Sequence, residues 1–262
     1  MNSAIVLGRL TSNAKISGRL WMQICEFKEA LIIDNAAKDQ LFGVVLEVMK
    51  KLDSLEYHRA NLERIVHEQM ESRQSVTEPS YDRTTGAEHE FEAFLLQGKA
   101  TLDVLVKALA PISSIKLNTY GDNGKKVLKA LTNNLPMNQS KRSDWLILMI
   151  ETALPWIEQW VGSYRDTIAH HRSMESTGFL SIPDDTGRLV HHPPRDKKGL
   201  ALHELSNQLF SDLVIFCDDF LVFSYRLALF KGFEIGYSDE AKREQPWDPR
   251  YALKMIDYTA DD

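Results

Sequence analysis

Arg165, Asp166 and His170 fall within six consecutive positions of the segment Arg165-Asp166-Thr167-Ile168-Ala169-His170-His171. Those three residue types can carry out phosphodiester chemistry without a metal. Arginine offers a planar, permanently charged fork that matches a phosphate. Histidine titrates close enough to neutrality to take a proton in one step and return it in another. The aspartate can orient either neighbour. Four of the eight histidines, His170, His171, His191 and His192, lie in this stretch and the one that follows it. With Arg172, Arg188 and Arg195 they make a local basic concentration suited to an anionic ligand.

A plainer reading stands beside this one. Basic side chains favour the last turn of any helix, where they offset the negative end of the macrodipole and bond to orphan carbonyls. Five residues of ideal helix turn through about 140°, so Arg165 and His170 do not share one narrow face. Asp166, four before His170, does share its face. Lys197 and Lys198 read as a solvated charge run.

The elements that must position these residues are helical. Leu41, Val45, Val48, Leu52, Leu55, Leu62 and Val66 recur at steps of three, four or seven, predicting an amphipathic helix from about Asp39 to Arg73 with Arg59 on its seam. Residues 74–87 read as a loop rich in Ser, Thr, Pro, Asp and Gly. A second helix is expected from Glu88 to Leu109, ended by Pro111, and a shorter one from Asp122, as N-cap, to Asn134. Ser143 or Asp144 opens an apolar run through Trp145, Ile150 and Trp156 to Trp160, Val161 and Tyr164, which Pro155 kinks without ending. Gly178–Ile182 and Arg188–His192 flank the turn tetrapeptide Asp184-Asp185-Thr186-Gly187, predicting a β-hairpin. A final helix spans roughly Leu200 to Phe230, and the charged residues beyond Tyr237 are expected to be ordered only in part. The fold class is all-α, a helical bundle with one small inserted hairpin. Its expected divisions are an N-terminal helical extension at 1–87, a helical domain at 88–235 with the hairpin near 178–195, and a charged tail at 236–262.

Composition narrows the function. Of 262 residues, 44% are hydrophobic and 26% charged, which suits a globular core. A net charge of −6 argues against a protein that coats nucleic acid, while leaving room for a basic cleft. Cys25 and Cys217 read as buried free thiols in a reducing compartment. The apolar Ala4–Leu7 stretch is too short for a signal-peptide core, and no run reaches the roughly 18 apolar residues of a membrane span. A cytoplasmic protein with no membrane partner is expected. Metal spacing is missing: His170-His171 and His191-His192 are adjacent pairs whose side chains diverge, and Glu88-His89-Glu90 lacks a second histidine one helical turn away. No metal and no cofactor are expected. Trp160 and Tyr164 could stack a base, although their place on an apolar run favours the core.

The segment Tyr164–His170 resembles the signature of the HEPN superfamily. There an arginine, a following polar residue (often Asn, Asp or His) and a histidine end a bundle helix, with four to six residues between arginine and histidine. Phe91–Asp103 is similar to the first long helix of the larger, uncharacterised type. The resemblance covers roughly residues 88–230 and leaves residues 1–75 and the hairpin unexplained. It implies a metal-independent endoribonuclease acting as a homodimer, with RNA as substrate and an antitoxin or phage-defence protein as a possible partner. It further implies catalysis by Arg165, Asp166 and His170, with a 2′,3′-cyclic phosphate and a 5′-hydroxyl as products. His171, Arg172, Arg188 and Arg195 are the expected substrate-binding residues. Other members of that superfamily have lost catalysis and serve as nucleotide-binding or interaction modules, which keeps a non-catalytic reading open.

Overall fold

The stripe from Leu41 to Val66 is buried along a 39-residue helix, Asn35–Arg73. The computed structural model describes residues 14–83, 85–113, 115–121, 124–162, 176–238 and 250–256. In chain order its helices are α1 (Ala14–Phe27), α2 (Asn35–Arg73), α3 (Thr85–Leu105), α4 (Leu109–Ser113), α5 (Lys125–Asn134), α6 (Met137–Ser140), α7 (Asp144–Trp156) and α8 (Leu202–Arg226). Its strands are β1 (Ser80–Asp82), β2 (Ser176–Thr177), β3 (Phe179–Pro183), β4 (Leu189–His192), β5 (Arg195–Asp196), β6 (Phe233–Tyr237) and β7 (Tyr251–Met255). Among the described residues, no helix is long and apolar enough to cross a membrane.

Two boundaries differ from the sequence expectation and one helix changes type, each for a local reason. The chain leaves α3 through a tight turn at Val106–Ala108, so Pro111 does not end that helix. It sits instead in the first turn of α4, where its missing N–H costs no hydrogen bond. Helix α5 begins at Lys125 behind Gly124, whose φ of 70° is left-handed, and the expected cap Asp122 lies outside the described residues. A Cβ at position 124 would come within 2.6 Å of the Tyr120 hydroxyl, so glycine is required there twice over. Helix α7 carries Pro155 and continues directly into a π-helical segment, Ile157–Gly162. Proline removes one backbone donor, and the wider turn that follows accommodates the broken ladder.

The all-α expectation is overturned. Besides the hairpin of β3 and β4, the structure holds a third antiparallel strand, β1, on the free edge of β3, giving the order β1-β3-β4. Strands β2 and β5 pair over two residues, and β6 and β7 pair over five, from Phe233 opposite Met255 to Tyr237 opposite Tyr251. The chain is a mixture of helices with small antiparallel sheets. Three residues inside a loop-like stretch carry no periodic signal, so β1 is set by tertiary contacts. Arg73, 5% exposed at the end of α2, donates to Ser80 Oγ at 3.2 Å and Ser181 Oγ at 3.1 Å, and lies over the Phe179 ring. It thereby ties β1 to β3. Gly178 has its own steric reason, because a Cβ there would approach the Asp82 carbonyl oxygen to 2.5 Å.

The chain divides into two compact units, one of Met1–Asp53, Ala100–Ile157 and Val214–Asp262, the other of Ser54–Lys99 and Glu158–Leu213. In the first, aromatic side chains form the core: Phe27 meets Tyr225 at 5.9 Å, and Tyr120 and Trp156 both meet Phe216 edge-on. Strand β7 is sewn on by polar contacts. Gln23 Nε2 donates to the Tyr251 carbonyl at 2.8 Å, and Glu26 accepts the Leu253 N–H at 3.2 Å. Both cysteines are free; Cys217 is buried, but Cys25 is only half-buried, short of the burial expected.

In the second unit the seam arginine finds a purpose. Arg59 grips Glu56 with two N–H groups at 2.6 Å, reaches Glu63 at 3.1 Å and Asn207 Oδ1 at 2.6 Å, and stacks over Phe210. Its ordinary value is raised further, first by the hydrogen bond to Glu56. Arg59→Met keeps the apolar stem but strands the half-buried Glu56 carboxylate. The expected cost is about 1–2 kcal/mol in urea unfolding, between an exposed and a buried ion pair. A change below about 0.3 kcal/mol would show that the network contributes no net stability.

Candidate functional site

Arg165, Asp166, His170, His171 and Arg172 lie outside the described residues, as do Tyr164 and the side chain of Trp160. What is described is the approach to them, through α7 and the π-helical segment that ends at Gly162, and the hairpin that follows. Segments of π-helix occur often at functional sites, because the extra residue per turn re-aims the side chains beyond it.

The hairpin turn is built by one carboxylate. Asp184 Oδ1 accepts the Thr186 hydroxyl at 2.7 Å and N–H at 2.8 Å and the Arg188 N–H at 3.0 Å, while Gly187 takes a φ of 80°. These bonds, the Thr186 hydroxyl first, hold the Asp184 carboxyl below the usual carboxylate range. The turn thus fixes where the backbone presents Arg188.

Arg188 lines an open groove of about 500 Å³, with Asp184 and with Leu189, Val190 and His191 of β4 on one side, and His67, Met70 and Glu71 of α2 with Gln74 just past its end on the other. His67 Nε2 is 3.2 Å from Glu71 on the same helix. His191 Nδ1 is 2.9 Å from the Ser181 hydroxyl, which is fully buried and already accepts from Arg73. Ser181 has one proton to give and two lone pairs, so while it accepts from Arg73 it can donate to Nδ1. Neutral His191 then carries its proton on Nε2. Together, Arg188 and His191 supply an arginine fork and an oriented N–H donor, a pair suited to phosphate oxygens.

Arg195 has a different environment. Its Nη1 donates to the Gly199 carbonyl at 2.6 Å, and the buried carboxylate of the next residue, Asp196, accepts the N–H groups of Lys198 and Leu200. The structure places Arg188 in the groove and Arg195 in the turn that leads to α8. The chain Arg73–Ser181–His191 had no signal in the sequence, because Arg73 and Ser181 stand 108 positions apart. Among the described residues, no group of three His, Cys, Asp or Glu side chains could hold a metal ion.

No protein-family model, curated protein or solved structure matches this chain.

Proposed function

We propose that the chain is a metal-independent endoribonuclease of HEPN type. One observation carries this reading: Arg165, Asp166 and His170 stand three to eight residues beyond a described apolar helix whose last turns are π-helical. His170 takes the proton of a ribose 2′-hydroxyl or delivers one to the leaving 5′-oxygen, Arg165 stabilises the charge growing on the phosphoryl oxygens, and Asp166 orients one of them. The groove with Arg188 and His191 supports the reading by offering a place for phosphate groups. A two-fold homodimer would supply two such trios and with them both an acid and a base. The setting is cytoplasmic, consistent with two free cysteines, and a toxin–antitoxin or phage-defence system with its own partner protein suits such an activity. The deciding experiment is RNA cleavage in chelator by wild type and His170→Ala.

Binding is separable from cleavage. Reversing charge at both Arg188 and Arg195 should weaken single-stranded RNA binding by about tenfold or more and reduce the salt dependence, since each lost phosphate contact removes one released counterion. Reversing Lys50 and Lys51 on α2 should do less, because Lys50 already pairs with Glu47 at 2.6 Å. Equal losses from the two double variants in a filter-binding titration would deny the hairpin any special role.

A further inference from the structure

The first unit holds a second concavity, unrelated to the groove above, with a volume of about 890 Å³. Its floor forms where the chain after α1 meets the chain after α8: the Ile32 N–H donates to the Ala228 carbonyl at 2.7 Å, and the Phe230 N–H to the Ala30 carbonyl at 3.0 Å. Ile32, Met137 and Leu229 give it apolar walls, and Ile32 and Met137 are 57% and 81% exposed. Lys141, Arg142 and Lys231 stand around it, and among the described residues no acidic side chain lines it. The carboxylates near it in sequence have partners of their own: Arg226 binds both Asp144 and Glu234, the latter at 2.7 Å, Asp34 accepts the Ala37 N–H at 2.7 Å, and Glu29 lies within 4.0 Å of Lys28 and Lys38. In a chain of net charge −6, a pocket with three cations and no countercharge is a marked local inversion.

Arg142 is the oriented member of the three. Its Nη1 donates to the Leu229 carbonyl at 2.6 Å, and its own carbonyl accepts from Arg226 at 3.2 Å. A guanidinium has five N–H donors, so pinning one leaves the rest of the fork in a fixed direction. A volume of this size with apolar walls and a few convergent polar groups is that of a small-molecule site.

We propose that this pocket binds a small organic phosphate, a phosphate monoester whose apolar or aromatic body lies against Ile32, Met137 and Leu229. Arg142 takes the phosphoryl oxygens through its remaining donors, and Lys141 and Lys231 neutralise the second charge. The body contributes by apolar burial and the headgroup by charge, so neither alone binds well.

The test is calorimetric titration of the full chain with 1-naphthyl phosphate, 1-naphthoate, 1-naphthol and inorganic phosphate. One equivalent of 1-naphthyl phosphate should bind at least tenfold more tightly than any of the other three. Lys231→Gln, which removes a side chain with no hydrogen bond among the described residues, should weaken it several-fold, and Arg142→Gln tenfold or more. Lys50→Gln should leave it unchanged. Naphthol or inorganic phosphate binding as tightly as the monoester would overturn the two-part site. Naphthoate binding as tightly would overturn the choice of phosphate. Unchanged affinity in Lys231→Gln, the variant whose folding is not in question, would overturn the location.

Discussion

Replacing His170 by alanine is expected to lower RNA cleavage by a factor of about 10² to 10⁴, the usual contribution of a positioned general acid or base. Cleavage by the wild-type chain should persist in chelator, because the proposed steps use only side chains. An RNA with a single 2′-deoxy sugar at the cut site should be inert, since the attacking oxygen is then missing. Arg165→Lys should also be impaired, by one to two orders of magnitude at saturating substrate. An ammonium supplies charge but not the two parallel N–H bonds that a phosphoryl oxygen pair accepts. The two variants separate the roles: loss of His170 should alter the pH profile of the residual rate, whereas loss of Arg165 should lower the rate at every pH. The products should carry a 2′,3′-cyclic phosphate. A fully active His170→Ala protein, or cleavage abolished by chelator, would remove the catalytic assignment and favour an interaction module.

The helices were legible because burial repeats along them with the helical period. Every apolar position assigned to the seam of α2 is buried, and so are Phe91, Phe94, Leu95, Leu102 and Leu105 on α3 and Leu202, Leu205, Leu209, Leu213 and Phe220 on α8. The hairpin of β3 and β4 was legible because its turn chemistry is local: Asp184, Thr186 and Gly187 specify the reversal by themselves. Strands β1 and β7 were not. Each depends on partners far away in the sequence, β1 on Ser181 and its neighbours in β3, β7 on Gln23 and Asp219. Polar anchors of that kind leave no periodic trace, and the charged stretch after Tyr237 reads as a solvated tail until Gln23 meets Tyr251. The candidate site divides in the same way. The residue types at Arg165–His170 and at Arg188 stand out by their chemistry, but the contact chain from Arg73 to His191 runs through a buried serine that nothing in the local sequence marks.

Asp218 should make stability depend on pH in the direction opposite to that of a paired surface carboxylate. It lies fully buried on α8, with Arg19 Nε at 3.1 Å and Arg250 Nη1 at 3.5 Å. Its neighbour Asp219 takes the better geometry, with Arg250 at 2.7 Å and the Tyr251 hydroxyl at 2.6 Å. Burial pushes the Asp218 carboxyl from 3.8 up to about 6; Arg19 and Arg250 oppose that rise, and Asp219 adds to it. Between about pH 4 and pH 6 the folded chain therefore holds a proton that the unfolded chain has released. Stability from this group is greatest below that window, falls as pH rises through it, and stays lost above it. A shift of this size corresponds to an upper bound of roughly 3 kcal/mol. Asp218→Asn cannot ionise, so its unfolding free energy minus that of wild type should rise by about 1–3 kcal/mol between pH 4 and pH 7 in urea titrations. Taking the difference cancels carboxylates that do not touch Asp218, including Asp184, whose depressed value gives the opposite slope, while any change at the coupled Asp219 is part of the measured difference. The uncompensated charge on Arg19 adds a constant, because arginine stays protonated throughout. A difference that stays flat from pH 4 to pH 7 would mean that Asp218 is ionised in the folded protein at both ends, held by Arg19 and Arg250 more firmly than burial opposes them.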